Sequence, residues 1–260
     1  MPPMSARRSA AVARNELRVL RRDPMPLVVL LVMPLLMAPL FGKTFRAALV
    51  LSGHAHASGA DFAVPAQIVE FGFFLAPFTG FLFFRDHGWK TWSRLRASPA
   101  SAADIVAGKA TPMVGLGLLQ VIFLSTVGAL ILHLHLHGEA LALLPVAFTY
   151  VCCSVALGVA LTAVLRTSQQ LNAIGFLGAT LMGAIGGALV PITTLPVWTR
   201  AIAPATPQYW AMRSARDVIL NGKPAGAVAL PAFVLMMFTA GFVVIAIRHL
   251  RLDDAKVGWT

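Results

Sequence analysis

The chain has 260 residues, of which 58% are hydrophobic and only 12% are charged, and its mean hydropathy is +0.77. These values exclude an ordinary soluble globular domain and indicate a polytopic membrane protein. A net charge of +11 would suggest nucleic-acid binding in a soluble chain. Here, however, the basic residues lie between apolar runs, where membrane topology and anionic headgroups account for them, so no nucleic-acid partner is expected.

Residues 9–22 precede the first apolar run and predict an amphipathic helix. Ala13, Leu17 and Leu20 share one helical face, while the arginines of this segment gather on another. A helix of this kind lies at the membrane interface. A basic tail that only sets the topology is the alternative interpretation.

Six apolar segments are long enough to cross a bilayer, whose core of about 30 Å needs about 20 apolar residues per helix. Backbone groups in lipid must pair within the segment, so we expect an all-α membrane bundle. The six predicted spans are 27–46, 66–84, 110–132, 140–165, 171–190 and 225–247.

The distribution of basic residues predicts the orientation. Fifteen Lys and Arg residues lie on the side of the two termini and six on the other side. The positive-inside rule therefore places both termini in the cytoplasm. We expect a cytoplasmic tail with an interfacial helix (1–26), a six-helix membrane bundle (27–247) and a second tail (248–260).

Glu70 is an ionisable residue in the second predicted span, about four residues from the predicted outer end of that span. Such a group is costly in lipid unless it meets water, a partner or a substrate. Two interpretations stay open. The side chain either reaches the headgroup region or lies on a transport path, where it would attract a cationic or amphiphilic substrate.

Small residues recur every four positions in the fifth predicted span, at Ala179, Gly183 and Gly187. A stripe of this kind lets another helix approach closely. We expect packing within the chain in preference to a subunit interface.

Histidines alternate in an outer connection, at His133, His135 and His137, with Glu139 beside them. Imidazole clusters bind zinc or copper, but alternating positions converge only from an extended strand. Histidines at a water interface are the preferred interpretation, so no metal is assigned. No Ser/His/Asp or Cys/His set has catalytic spacing, and no enzymatic site is expected.

The stretch between the second and third spans predicts a short helix. Ser98 followed by Pro99 is typical of a helix N-cap and a first-turn proline, and the helix would continue to about residue 107. Ser101 and Asp104 offer an alternative capping box. The basic residues around this helix suit a surface that meets a partner.

This stretch resembles the first cytoplasmic loop of ABC exporter permeases of the second type (ABC-2), the group that includes the daunorubicin-resistance permeases. Members leave the second span with an R-E-R-E-x-G-T-x-E-R-L-x-x-x-P run before a short coupling helix that contacts the ATPase. The positions that match are Arg85, Asp86, Thr91, Arg94, Leu95 and Pro99. Together with Ser98 and Asp104, the resemblance implies an ATPase-coupling set. Lys90 and Ser93 depart from the run.

Residues 186–222 also resemble the last outer segment of that family, which reads P-x-x-x-L-P-x-W and then P-x-x-Y-A-x-x-x-R. The positions that match are Pro191, Leu195, Pro196, Trp198, Pro207 and Arg216, and the predicted outer segment also contains Tyr209, Trp210 and Arg213. Trp210 replaces the usual tyrosine and Arg213 replaces a common acid. Because prolines interrupt helices and Trp and Tyr favour the membrane interface, an outer re-entrant segment of short helices is expected.

The resemblance implies a permease subunit in the bacterial cytoplasmic membrane that moves hydrophobic or amphiphilic compounds, such as drugs, antibiotics or lipid-like molecules, outward. It implies no cofactor on this chain, since a separate ATPase would bind ATP and magnesium. A second permease subunit and membrane lipids are the other implied partners. An ion-gradient-driven transporter and a metalloenzyme built on His133, His135 and His137 are the alternatives.

Overall fold

A computed structural model describes residues 4–51, 53–54, 56–135 and 140–250, and the regular elements in these ranges are helices. The ten main helices are α1 (Ala6–Arg22), α2 (Met25–Leu51), α3 (Ala60–Gly88), α4 (Trp92–Arg96), α5 (Ala102–Ile131), α6 (Leu143–Val164), α7 (Ser168–Asn172, Ala173–Leu177 and Gly178–Gly186 in succession), α8 (Val197–Ile202), α9 (Pro207–Ala215) and α10 (Ala225–His249). Short 3₁₀ turns lie at Ala140–Ala142, Ile192–Thr194 and Ala203–Ala205, and a π turn, Arg216–Leu220, follows α9.

Five of these helices, α2, α3, α5, α6 and α10, are long and apolar enough to cross a membrane. The prediction of an all-α polytopic membrane protein is therefore confirmed. The predicted fifth span, 171–190, corresponds to α7, which is helical but does not belong to these five. The first turn of α7 is polar, with Ser168, Gln169 and Gln170, and this lowers the hydropathy of the helix.

Gly187 ends α7, which corrects its assignment to the packing stripe. Its φ of 86° lies in the left-handed region, which a residue without a Cβ adopts at little cost, and its position is the C-cap. Gly186 lies in the packing contact instead, because a Cβ there would come within 2.8 Å of Thr206 Oγ1 and of the Tyr209 backbone nitrogen. Gly186 therefore lies where α7 meets α9, while Gly183 of the stripe lies against Glu70 of α3.

The helix after α4 starts at a different residue from the one first predicted. Ser101, not Ser98, is the N-cap of α5, and it forms a capping box in which its side chain accepts from the Asp104 N–H. No separate short helix runs from Ser98 to residue 107, because α5 continues unbroken to Ile131. The Ser98 hydroxyl instead donates to the Leu95 carbonyl, 2.6 Å away, and so closes the end of α4.

The long helices pack in an order that brings α3 to the centre. The first half of α3 packs against α2, the second half packs against α6, and α10 lies along α6. Short helix α9 is inserted among α3, α6, α7 and α10. At the other end, α1 lies so close to α5 that a Cβ on Gly108 would come within 3 Å of Val12 and of the Ser9 carbonyl.

Replacing Gly187 by alanine is expected to destabilise the chain, because an L side chain in the left-handed region costs about 1–2 kcal/mol. Gly178→Ala is the matched control in the same helix, since its Cβ would meet no atom within 4 Å. That variant gains up to about 1 kcal/mol of helix propensity. Unfolding in mixed micelles measures both variants, and equal effects would contradict the assignment of Gly187 as the end of α7.

Candidate functional site

A groove of about 650 Å³ opens between α1 and the stretch from the end of α3 to the start of α5. We call it the α1 groove. One wall is α1, from Arg8 to Val19. The other wall contains seven of the eight residues predicted for ATPase coupling: Arg85, Asp86, Thr91, Arg94, Leu95, Ser98 and Pro99. The fold thus brings these predicted residues together on one surface.

A buried ammonium group lies beneath the α1 groove and binds two of the residues that line it. Lys109 on α5 is fully buried, and its Nζ lies 2.5 Å from Glu16 Oε1 of α1 and 2.5 Å from Asp86 Oδ2 of α3. The Leu82 carbonyl accepts the third hydrogen bond at 3.0 Å. Because an ammonium group has three donors, all of them are used. Arg85 pairs with the other oxygen of Glu16, so the cluster has two cations and two anions.

The charge cluster extends to α4 through a threonine. Thr91, the residue before α4, donates its hydroxyl to Asp86 Oδ1 at 3.0 Å, while the other oxygen of Asp86 binds Lys109. The guanidinium of Arg85 lies 5.2 Å from the ring centre of Trp89. The position of α4 is therefore linked by hydrogen bonds to the ends of α3 and α5.

Asp104 lies beneath the α1 groove and is not at its surface. Its carboxylate is fully buried and accepts from the Ser5 backbone N–H at 2.6 Å, from Arg8 Nε at 2.8 Å and from the Ser9 hydroxyl at 3.2 Å. The same carboxylate accepts from the Ser101 N–H at 2.9 Å. It therefore joins the start of α5 to the start of α1, and this arrangement gives it no direct contact with a partner.

Two residues of this site were missed from the sequence, Glu16 and Lys109. Glu16 is the one acidic residue of α1 and is 3% exposed, although α1 otherwise carries a row of arginines. Lys109 stands at the start of an apolar run. An ionisable residue at such a place is energetically costly without a partner. Its presence there could therefore have predicted an ion pair.

At the opposite end of the bundle, the predicted outer segment forms short helices. Pro191 and Pro196 precede the 3₁₀ turn and α8, and Trp198 on α8 is 67% exposed. Pro207 is the first residue of α9, capped by the Thr206 side chain.

Aromatic and charged side chains contact each other along α9 and up to the π turn that follows it. Trp210 Nε1 donates to the Pro204 carbonyl at 2.9 Å and stacks edge to face with Tyr209. The Arg213 guanidinium lies 5.4 Å from the Trp210 ring centre, and Arg216 begins the π turn.

Glu70 lies deeper than its predicted position about four residues from the outer end of a span. Because α3 begins at Ala60, Glu70 is ten residues from the helix start, and it is only 3% exposed. Its carboxylate lies against Gly183 of α7, where any Cβ would overlap it. Ala179, one turn earlier on α7, is also buried. The Glu70 carboxylate therefore lies inside the helix bundle, between α3 and α7.

The outer histidines lie in different environments. His135 Nδ1 is 3.1 Å from Asp61 Oδ2, and His54 Nε2 is 3.1 Å from Asn221 Oδ1. His137 and Glu139 lie outside the described residues. Within the part of the chain that the structure describes, no three His, Cys, Asp or Glu side chains gather as metal ligands.

Apolar helices of membrane-spanning length, with a charged groove at one end of the bundle, define an integral membrane protein. A family model described as "ABC-2 type transporter" matches residues 9–220. The chain belongs to this family and is an ABC-2 type membrane subunit.

A curated relative is similar over part of the chain. The linearmycin resistance permease protein LnrN of Bacillus subtilis (strain 168) is 29% identical over 160 residues. The match covers 58% of this chain and 40% of the relative. The matched region thus spans less than half of the length of that protein.

Lys109→Met is expected to lower the free energy of unfolding by about 3 kcal/mol, because it leaves Glu16 and Asp86 buried with one cation fewer. Adding Glu16→Gln removes one of the stranded charges, so the double variant loses less than the sum of the two single losses. Lys90→Met, at an exposed site, is the control and changes stability by at most about 0.5 kcal/mol. Equal losses for Lys109→Met and Lys90→Met would contradict the paired cluster.

Proposed function

We propose that this chain is the permease subunit of an ATP-driven exporter in the bacterial cytoplasmic membrane, with a separate ABC ATPase as its motor. One observation supports this more than any other. Residues that match the loop of the family that contacts the ATPase converge on the α1 groove. Arg94, which is exposed in this groove, suits an acidic partner surface. ATP and magnesium would be bound by that partner.

The proposed topology has six spans and cytoplasmic termini, in a single permease domain covering residues 1–260. Residues 168–186 of α7 are about 28 Å long at 1.5 Å per residue, close to the thickness of about 30 Å of a bilayer core. Counting α7 as a sixth span puts both termini on one side. The α1 groove then faces the cytoplasm, α1 lies at the interface, and α8 and α9 form the outer re-entrant segment.

The proposed mechanism passes motion from the ATPase through buried polar contacts. A partner seated in the α1 groove touches α1 and α4, and the Lys109 and Asp104 contacts join both to the ends of α3 and α5. Closure of the ATPase subunits would therefore move the ends of two spans. A motor shifts the inward and outward states only through contacts that differ between them, and the α1 groove is where we expect this difference.

The proposed cargo is hydrophobic or amphiphilic, and the complex would contain a second, identical or similar, permease subunit. The relative in Bacillus subtilis is a linearmycin resistance permease protein, which supports antibiotic or drug export by this chain. Glu70 is the residue that we place on the transport path. Its buried position on the central helix α3 supports that placement.

Arg94→Glu is expected to lower substrate-stimulated ATP hydrolysis by about tenfold, since reversing an interface charge can cost 1.4 kcal/mol or more. Arg94 is exposed in the α1 groove, so membrane insertion should not change. Arg166→Glu is the matched control, because Arg166 is exposed on the same proposed side but outside that groove.

The assay uses the chain co-expressed and purified with its ABC ATPase. Unchanged coupling in the Arg94 variant would remove this residue from the coupling surface. Substrate movement by the purified chain on a proton gradient without any ATPase would contradict the proposed function and favour an ion-driven transporter.

A further inference from the structure

Three polar side chains are buried where α3 meets α7 and α9. They are Gln67, Glu70 and Gln208, and each is at most 4% exposed. Three of their oxygen atoms have no hydrogen-bond partner, namely Gln67 Oε1, Glu70 Oε2 and Gln208 Oε1. We call these three residues the interior polar site. Because buried polar groups are nearly always paired, these unpaired acceptors mark a place where a donor group can bind.

Contacts to α3 and α7 bring the three side chains to one region. Gln67 and Glu70 are one turn apart on α3 and share a face. The Glu70 carboxylate lies against Gly183 of α7, and Gln208 Nε2 donates to the carbonyl of Ala179, one turn earlier on that helix, at 3.2 Å.

Other polar side chains near α3 do not belong to this site. Gln120 of α5 lies against Gly72, which is about 200° around the helix from Glu70. The hydroxyl of Tyr150 donates to the Val69 carbonyl at 2.6 Å. The oxygens of the interior polar site therefore keep their capacity to accept.

The unpaired atoms specify the chemistry of the ligand. All three are acceptor oxygens, one from a carboxylate and two from amides. A ligand that donates several hydrogen bonds and carries a positive charge complements this set. An ammonium group has three donors and no acceptor, and its hydrogen bonds to a carboxylate are charge-assisted.

We propose that the interior polar site binds the ammonium group of an amphiphilic substrate, with Glu70 as its counter-ion. This assignment rests on the proposed export function and names the class of substrate: amphiphiles that carry a primary amine. In this conformation the carboxylate is lodged against Gly183, so the ammonium group enters when α7 moves away from α3. Glu70 is the selecting residue, and Gln67 and Gln208 orient the bound group.

Binding of two matched probes tests the proposal. The purified permease–ATPase complex in zwitterionic nanodiscs is titrated with a fluorescent twelve-carbon primary amine and with its neutral N-acetyl derivative. The wild-type complex is expected to prefer the amine by about tenfold. Glu70→Gln keeps the size of the side chain but removes its charge, and it should abolish the preference without weakening binding of the acetylated probe.

Two further variants test whether the preference for the amine depends on the place that the Glu70 carboxylate occupies. Gly183→Ala puts a methyl group where the carboxylate lies, so it should reduce the preference while every charge remains. Asp61→Asn removes a carboxylate near the outer end of the same helix, where it binds His135, and should leave the preference unchanged. An equal loss of both probes in Glu70→Gln, or no loss, would overturn the proposal.

Salt distinguishes an ammonium group of the substrate from an inorganic cation. If sodium chloride displaces the amine and N-methylglucamine chloride at equal ionic strength does not, the site takes an alkali ion and the substrate assignment is wrong. A transport assay distinguishes failure of the proposed export function from failure of the substrate assignment. In that case wild-type vesicles with ATP would transport neither probe, whatever the preference in binding.

Discussion

The α1 end of the bundle depends on the ammonium group of Lys109. Its three acceptors come from two other helices, Glu16 on α1 and both Leu82 and Asp86 on α3. A buried charge is stable only when such a set is complete, and removing any member leaves another charge stranded in a medium of low dielectric. The three helices are therefore held in one arrangement, and the shape of the α1 groove follows from it.

This constraint couples the groove to the interior of the bundle. Lys109 lies on α5, and its partners Leu82 and Asp86 lie on α3, so the charge cluster belongs to two long helices of the bundle. Helix α5 runs without a break from Ala102 to Ile131, and α3 carries both Asp86 and Glu70. At 1.5 Å per residue, these two carboxylates are about 24 Å apart along α3. The two halves of α3, joined by a turn at Phe74, thus connect the groove with the interior polar site.

Hydropathy and charge predicted the helical class, most spans and the amphipathic character of α1, because these are local properties of the chain. The pairing of Glu16 with Lys109 could not be predicted, since it joins residues 93 positions apart. The choice between Ser98 and Ser101 as the N-cap was open for the same reason, as Asp104 is fixed by Ser5 and its neighbours on α1. The start of the helix that carries Glu70 was predicted too late, because α3 begins at Ala60 and tolerates Pro65 in its second turn.

We infer that α1 and the start of α5 move as one body, because the contacts of Lys109 and Asp104 join them. Spin labels at Ala10 of α1 and Thr111 of α5, both exposed, measure it in a variant whose free cysteines, Cys152 and Cys153, are replaced by alanine. In the complex with its ATPase, the distance between the labels should stay the same when ATP is added, and it should broaden in the Lys109→Met variant. A distance that changes with ATP in the chain with Lys109 intact would contradict the account.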